Sequence, residues 1–436
     1  MKQAESVRRW GVWLLAAGLL AASSACSRSG VDRVAEGSGG SARKTPSASA
    51  KAPAPSAKPT PLQVPDGDAF FDPPNPLPGD KPGDVVWQRP ATGTQTLAGG
   101  AKELLVMYRT TGVDGAPVPA SGTVTLPNGP APQGGWPVIA WDHGTTGIGP
   151  QCAPSRGPGP YAQGAGDMLA AFVQRGYAVV QPDYVGMGVT GLRHPYLNGK
   201  SAAYATLDLV RAARTLDPGV GTTWFVAGHS QGGHAALWSA NYEPEYAPEL
   251  DLKGVVAIAP GNGFDQMPAL VARRDSLAEP YVGIFLLLVD GAAAADPAVK
   301  PEQILTEAGL AAAKQAWDAC MGTTPAAPTP SVADILRPDA DLGPLTAALQ
   351  ASAPDRVKLN APVFLPQGAQ DPLGALNVPL FQKLCADGAS VRFTVYPGLG
   401  HSPEEVRAAG DDVLAWVQAR LDGVPVEGAC TLSAAS

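Results

Sequence analysis

The residues best suited to chemistry in this chain are Gly228-His229-Ser230-Gln231-Gly232. A serine with glycine two positions away on either side suits a sharp strand-to-helix turn, where the backbone is strained and neighbouring chain passes too close for a side chain. An apolar run at 223–227 supplies the strand, and helix-compatible residues follow from about Gly233, so the turn would project the Ser230 hydroxyl outward. A glycine-rich packing turn could carry the same five residues. What separates the two readings is whether the rest of the chain supplies a base, an acid and an oxyanion site.

A serine hydroxyl needs a general base, and there are five histidines. His229 and His234 flank the serine on its own turn and helix, His143 opens a Gly-Thr-Thr-Gly loop, and His194 lies in Leu192-Arg193-His194-Pro195-Tyr196. His401 remains, in Pro397-Gly398-Leu399-Gly400-His401, a glycine loop after an apolar run at 391–396. The acid that orients it should follow the preceding strand, and Asp371 in Gly368-Ala369-Gln370-Asp371-Pro372 follows the run at 362–365. Asp-Pro is also an ordinary turn signal; the conjunction in the order serine, acid, histidine is what assigns Asp371 a role. The developing oxyanion would then meet the backbone N–H of Gln231 and a second donor from Trp141-Asp142-His143-Gly144-Thr145-Thr146-Gly147, placed at Thr145 with Gly144 as its neighbour. The chemistry is nucleophilic attack by Ser230 on an acyl carbon, through an acyl-enzyme, with no metal required.

The elements that must hold these groups follow from the apolar pattern. Runs at 103–111 and 121–126 read as antiparallel strands that open a sheet. Thereafter short apolar strands at 137–141, 177–181, 223–227, 254–259, 362–365 and 391–396 alternate with helical stretches at 168–175, 201–216, 232–241 and 403–421. Near-continuous apolar strands between helices indicate a mostly parallel sheet covered on both faces, an α/β class. The alternation fails at about 264–359, which reads as a helical insertion over the strand C-termini rather than a structureless loop. Its apolar run at 284–289 would either line an acyl-binding cleft or form a buried helix, the plainer of the two.

The N-terminus carries Arg8-Arg9, an apolar stretch from Trp10 to Ala22, and Ser23-Ser24-Ala25-Cys26. That is the pattern of a signal peptide over 1–26, and its apolar part, about a dozen residues, falls short of the roughly 20 needed to span a bilayer. Cys26 after small residues is similar to a bacterial lipoprotein acceptor, although Ser23 stands where such signals usually carry Leu; simple secretion is the alternative. Residues 27–66 are rich in Ser, Ala, Pro, Gly and Lys and read as a disordered tether, with order beginning near Phe70-Phe71 and one catalytic domain over 67–436. A balance of 31 Lys+Arg to 39 Asp+Glu, without a basic stripe, makes nucleic acid an unsuitable partner. Cys152, Cys320, Cys385 and Cys430 suit two disulfides in an exported protein. Three connectivities are open to four cysteines, and Cys152–Cys320 with Cys385–Cys430 is one compatible with this fold.

Taken in order, several segments resemble the secretory lipase family of α/β-hydrolases, in its bacterial branch. They are Phe71-Asp72-Pro73-Pro74, Tyr108-Arg109-Thr110-Thr111, His143-Gly144-Thr145-Thr146-Gly147, Cys152-Ala153-Pro154-Ser155, Asp183-Tyr184-Val185-Gly186-Met187-Gly188, His194-Pro195-Tyr196 and Gly228 to His234. The resemblance implies an α/β-hydrolase fold with a helical lid, lipase or esterase activity on a lipid or small-molecule ester, two disulfides and no cofactor. It also carries nucleophile, acid and base onto Ser230, Asp371 and His401. Acyltransferases and serine peptidases use the same fold and triad, and a surface binding protein with a spent site is a rival from another class; fold alone does not choose.

Overall fold

The computed structural model describes residues 63–157, 159–323, 330–426 and 428–435, all within one unit that begins at Pro61. The leader expected at 1–26, with Cys26, and all of the tether but 63–66 lie outside the described residues. Phe70 and Phe71 are buried, and the Phe70 carbonyl accepts the indole N–H of Trp87.

The ten described strands form one sheet. They are β1 (Val85–Pro90), β2 (Gly100–Thr111), β3 (Pro117–Pro127), β4 (Trp136–Asp142), β5 (Ala178–Pro182), β6 (Val220–His229), β7 (Asp251–Ile258), β8 (Val363–Gly368), β9 (Val391–Tyr396) and β10 (Cys430–Ala434). Between β4 and β6 lie helices α1 (Gly159–Ala162), α2 (Gly166–Gln174) and α3 (Gly199–Leu216), and α4 (Gln231–Tyr246) follows β6. The insertion after β7 contributes α5 (Met267–Ala272), α6 (Val282–Ala295), α7 (Pro301–Ile304), α8 (Glu307–Asp318), α9 (Val332–Ile335) and α10 (Gly343–Ala351). Helix α11 (Gly374–Ala386) separates β8 from β9, and α12 (Pro403–Leu421) follows β9.

Strand order is β1-β2-β3-β5-β4-β6-β7-β8-β9-β10. Pairings as far as β3–β5 are antiparallel and those beyond are parallel, so the sheet is mostly parallel as expected for an α/β-hydrolase. The period-two alternation of strand side chains sorts the core into two layers. Val138, Ala140, Trp224 and Val226 pack with α3, α4 and α11, while Ile139, Trp141, Phe225 and Ala227 pack on the other face with α2 and α12. The chain leaves β4 to one side to make β5 and returns to the other side to make β6. Loops therefore diverge at the C-terminal ends of these strands, where open α/β sheets bind ligands.

The insertion has a core of its own, with Phe285, Leu288, Ile304, Ile335 and Leu345 buried together. Of the three possible cysteine pairings, the one present is Cys152–Cys320 with Cys385–Cys430. The first bond fastens the insertion to the loop after β4, and the second ties α11 to β10. Strands β1 and β10 and helix α11 are additions to what the sequence pattern suggested. No helix among the described residues is long and apolar enough to cross a membrane.

Candidate active site

Ser230 sits between β6 and α4 with φ 58° and ψ −117°, a conformation that a non-glycine residue adopts only under strain of roughly 1–3 kcal/mol. Backbone bonds hold it there: its N–H donates to the Ile258 carbonyl at 3.0 Å, and its own carbonyl accepts the N–H groups of His234 and Gly261. The flanking glycines are steric necessities. A Cβ on Gly232 would collide with the Asp142 carbonyl, and one on Gly228 would collide with the Gly232 carbonyl.

His401 and Asp371 come from the loops after β9 and β8, which two backbone bonds lock together: Ala369 N–H to the Tyr396 carbonyl at 2.9 Å, and Gln370 N–H to the Leu399 carbonyl at 2.8 Å. His401 Nε2 lies 2.7 Å from Ser230 Oγ, and its Nδ1 lies 2.8 Å from Asp371 Oδ2. Asp371 accepts further hydrogen bonds from the Leu373 N–H and the Gln367 amide. Burial pushes the Asp371 carboxyl up, but the hydrogen bond and charge of His401 and these two donors outweigh it, leaving the acid below its ordinary range. An ionised Asp371 requires His401 to carry its proton on Nδ1, so that Nε2 is free to accept the serine proton.

The other four histidines are accounted for. His234 and His194 are each pushed down to about 4 by burial and stay neutral. His194 donates from Nδ1 to the Val185 carbonyl and accepts the Gln231 side-chain amide at Nε2, 2.9 Å away. His143 is buried at the start of its loop and contacts the Gly144 carbonyl, and burial lowers its proton affinity too. His229 lines the cleft with Ser230, and its Nε2 faces Glu405.

The expected oxyanion donors divide. Among the described residues the N–H groups of Gln231 and Thr145 have no acceptor, whereas the Gly144 N–H is occupied by the Gln163 side-chain oxygen at 3.0 Å. Gly144 therefore shapes the loop, and two N–H groups, on Gln231 and Thr145, stay available. Tyr196, which the sequence placed only in a motif, fixes the second: its hydroxyl lies 2.8 Å from Thr145 Oγ1. Beneath this loop the Asp142 carboxyl, fully buried with Thr206 as its partner, is pushed up to about 8 by that burial.

Ser230 and His401 open into a cleft of about 990 Å³. Phe264, Ile284, Leu287 and Ala316 of the insertion form its apolar lining, and the Cys152–Cys320 bond stands at its wall. Helix α6 thus serves both readings of the run at 284–289, since Phe285, Leu288 and Val289 are buried in the insertion core while Ile284 and Leu287 line the cleft.

The family model described as Secretory lipase matches residues 162–327, in agreement with the resemblance seen in the sequence motifs. The chain is 32% identical over 222 residues to a probable inactive lipase of Mycobacterium tuberculosis, covering 45% of this chain and 46% of that protein. It is 27% identical over 262 residues to a secreted triacylglycerol lipase of Malassezia globosa, covering 57% and 55% respectively. It thus spans about half the length of these curated relatives. Among solved structures, Candida antarctica lipase A in its closed state superposes with a TM-score of 0.69 at 20% identity, over 86% of this chain and 91% of that one. A rice cell wall degrading esterase from Xanthomonas oryzae gives 0.61 at 20% identity, over 79% and 100%. At that identity the structures establish the α/β-hydrolase fold.

Proposed function

We propose, from the premise that this chain is a relative of the secretory lipases, that it is an exported serine ester hydrolase of the lipase and esterase type. The observation that carries the proposal is the unbroken hydrogen-bonded chain from Ser230 Oγ through His401 to Asp371 at the floor of an apolar cleft. Ser230 attacks the ester carbonyl, and His401 takes the serine proton at Nε2 and passes it to the leaving alcohol. The N–H groups of Gln231 and Thr145 receive the oxyanion, and water activated by His401 releases the acid. One curated relative is described as a probable inactive lipase; in this chain the three residues are all present and in register.

The insertion at 264–359 acts as a lid, its α6 and α8 side chains covering the acyl group. Hydrolysis of p-nitrophenyl esters from acetate to palmitate tests both claims. Each methylene that the cleft covers should improve kcat/KM about fourfold, the equivalent of about 0.8 kcal/mol, until the chain outgrows it. Equal rates for acetate and octanoate would remove the cleft from the acyl-binding role, and no turnover of any ester would sink the ester-hydrolase reading.

Export rests on the leader pattern and on the secreted relatives, and we assign Cys26 as the lipid acceptor, with residues 27–66 as the tether that holds the catalytic domain off the membrane. Mass spectrometry of the mature N-terminus should find a diacylglyceryl group on Cys26. Cleavage without added mass would mean free secretion instead.

A further inference from the structure

Glu405 lies in the first turn of α12, four residues after His401, and its side chain is fully buried. One carboxylate oxygen, Oε1, accepts the N–H of Gly368 at the end of β8, three residues before Asp371. The other, Oε2, has no hydrogen-bond partner among the described residues and faces His229 Nε2 at 3.6 Å, beyond hydrogen-bonding distance. His229 in turn lies against His401, ring centroids 4.7 Å apart and tilted by 31°. Nitrogen or oxygen atoms of Glu405, His229 and His401 all fall within 4.8 Å of one another.

An acid in the first turn of a helix is ordinarily explained by the helix dipole. Glu404 meets that need from solvent, paired with Arg407 at 2.9 Å. Burying Glu405 with one oxygen unbonded is unfavourable, so the placement calls for a compensating partner. The partner of suitable charge is the ring of His401, which becomes an imidazolium as Ser230 gives up its proton.

Resting on the ester-hydrolase reading above, we propose that Glu405 is a positioning residue: a second carboxylate that stabilises the His401 imidazolium and, through Gly368, holds the end of β8 from which Asp371 projects. Titratable groups facing His401 are then Asp371 from the loop after β8, His229 from the end of β6 and Glu405 from α12. His229 is held neutral by burial against the opposing pull of Glu405, so it relays no net charge of its own.

The test is Glu405→Gln, which keeps an oxygen for the Gly368 N–H and removes the charge. With Ser230-dependent ester turnover as readout, kcat should fall roughly 10- to 100-fold, as expected for a unit charge lost at about 5 Å in a partly screened interior. KM should stay within about twofold, since the charge acts on the transition state rather than on substrate binding. A lost negative charge makes the protonated ring less favourable, so the acid limb of the kcat/KM profile should move to lower pH. Glu405→Asp, which keeps the charge, should leave that limb in place, and Glu405→Met gives a second neutral variant should the amide not fold. Wild-type kcat with an unmoved acid limb in the neutral variants would reduce Glu405 to a structural residue and overturn the inference. So would an Asp variant as impaired as the Gln variant. A wild-type protein without Ser230-dependent turnover would overturn the ester-hydrolase reading itself.

Discussion

Ser230→Ala should lower ester turnover by about a million-fold while leaving the protein folded. The loss follows from the mechanism, because without Oγ no acyl-enzyme forms and His401 has no hydroxyl to deprotonate. A small residue of rate over water should persist, since the N–H groups of Gln231 and Thr145 and the cleft still bind the substrate. Stability should change little. Alanine at φ 58° meets the same backbone strain as serine, and the bonds from Ile258, His234 and Gly261 all involve the main chain. Single-turnover assays beside a thermal melt separate the two effects. Activity within tenfold of wild type would exclude Ser230 as the nucleophile, and labelling of the variant by a fluorophosphonate probe would point to another serine.

Asp371→Asn should cost about 10⁴-fold in kcat at neutral pH. The side chain is nearly isosteric, so the loops after β8 and β9 keep their shape through the Ala369 and Gln370 backbone bonds. The chemistry changes instead. If the amide turns its NH2 towards His401, Nδ1 must accept, the ring proton moves to Nε2, and the ring no longer takes a proton from Ser230. If it turns its oxygen that way, the NH2 meets the Leu373 N–H, which now donates to a carboxylate oxygen at 2.8 Å. Either arrangement also forfeits the negative charge opposite the imidazolium. Measurement of kcat from pH 5 to 10 checks the prediction, and a loss under tenfold would remove Asp371 from the orienting role. A Glu405→Gln change on top of Asp371→Asn should deepen the loss, because both carboxylates face one ring.

Much of the site was legible from local pattern. The turn at Ser230 is set by residues two apart on either side, because glycine at 228 and 232 is demanded by the neighbouring carbonyls of Gly232 and Asp142. His401 could be found by elimination among five histidines, and Asp371 by its place after the preceding strand. Other features carry no local signal. Glu404 and Glu405 are identical neighbours in the sequence, yet one pairs with Arg407 in solvent and the other is buried beside Gly368 and His229. Strand β10 is exposed along its whole length, so the alternation of Cys430, Leu432 and Ala434 with Thr431 and Ser433 buries no face; it forms because Cys430–Ala434 runs parallel to Val391–Val395 and is fastened by Cys385.

What the sequence by itself determined, then, is the set of strands and helices with apolar periodicity, the strained turn at Ser230 and the order serine, acid, histidine, since each depends on residues near one another in the chain. Tertiary structure alone decided the pairing of the four cysteines, the release of the Thr145 N–H while Gln163 occupies that of Gly144, the apolar lining supplied by α6, and the burial of Glu405. Each of these depends on contacts between segments far apart in the chain, and such contacts exist only once the sheet has brought the segments together.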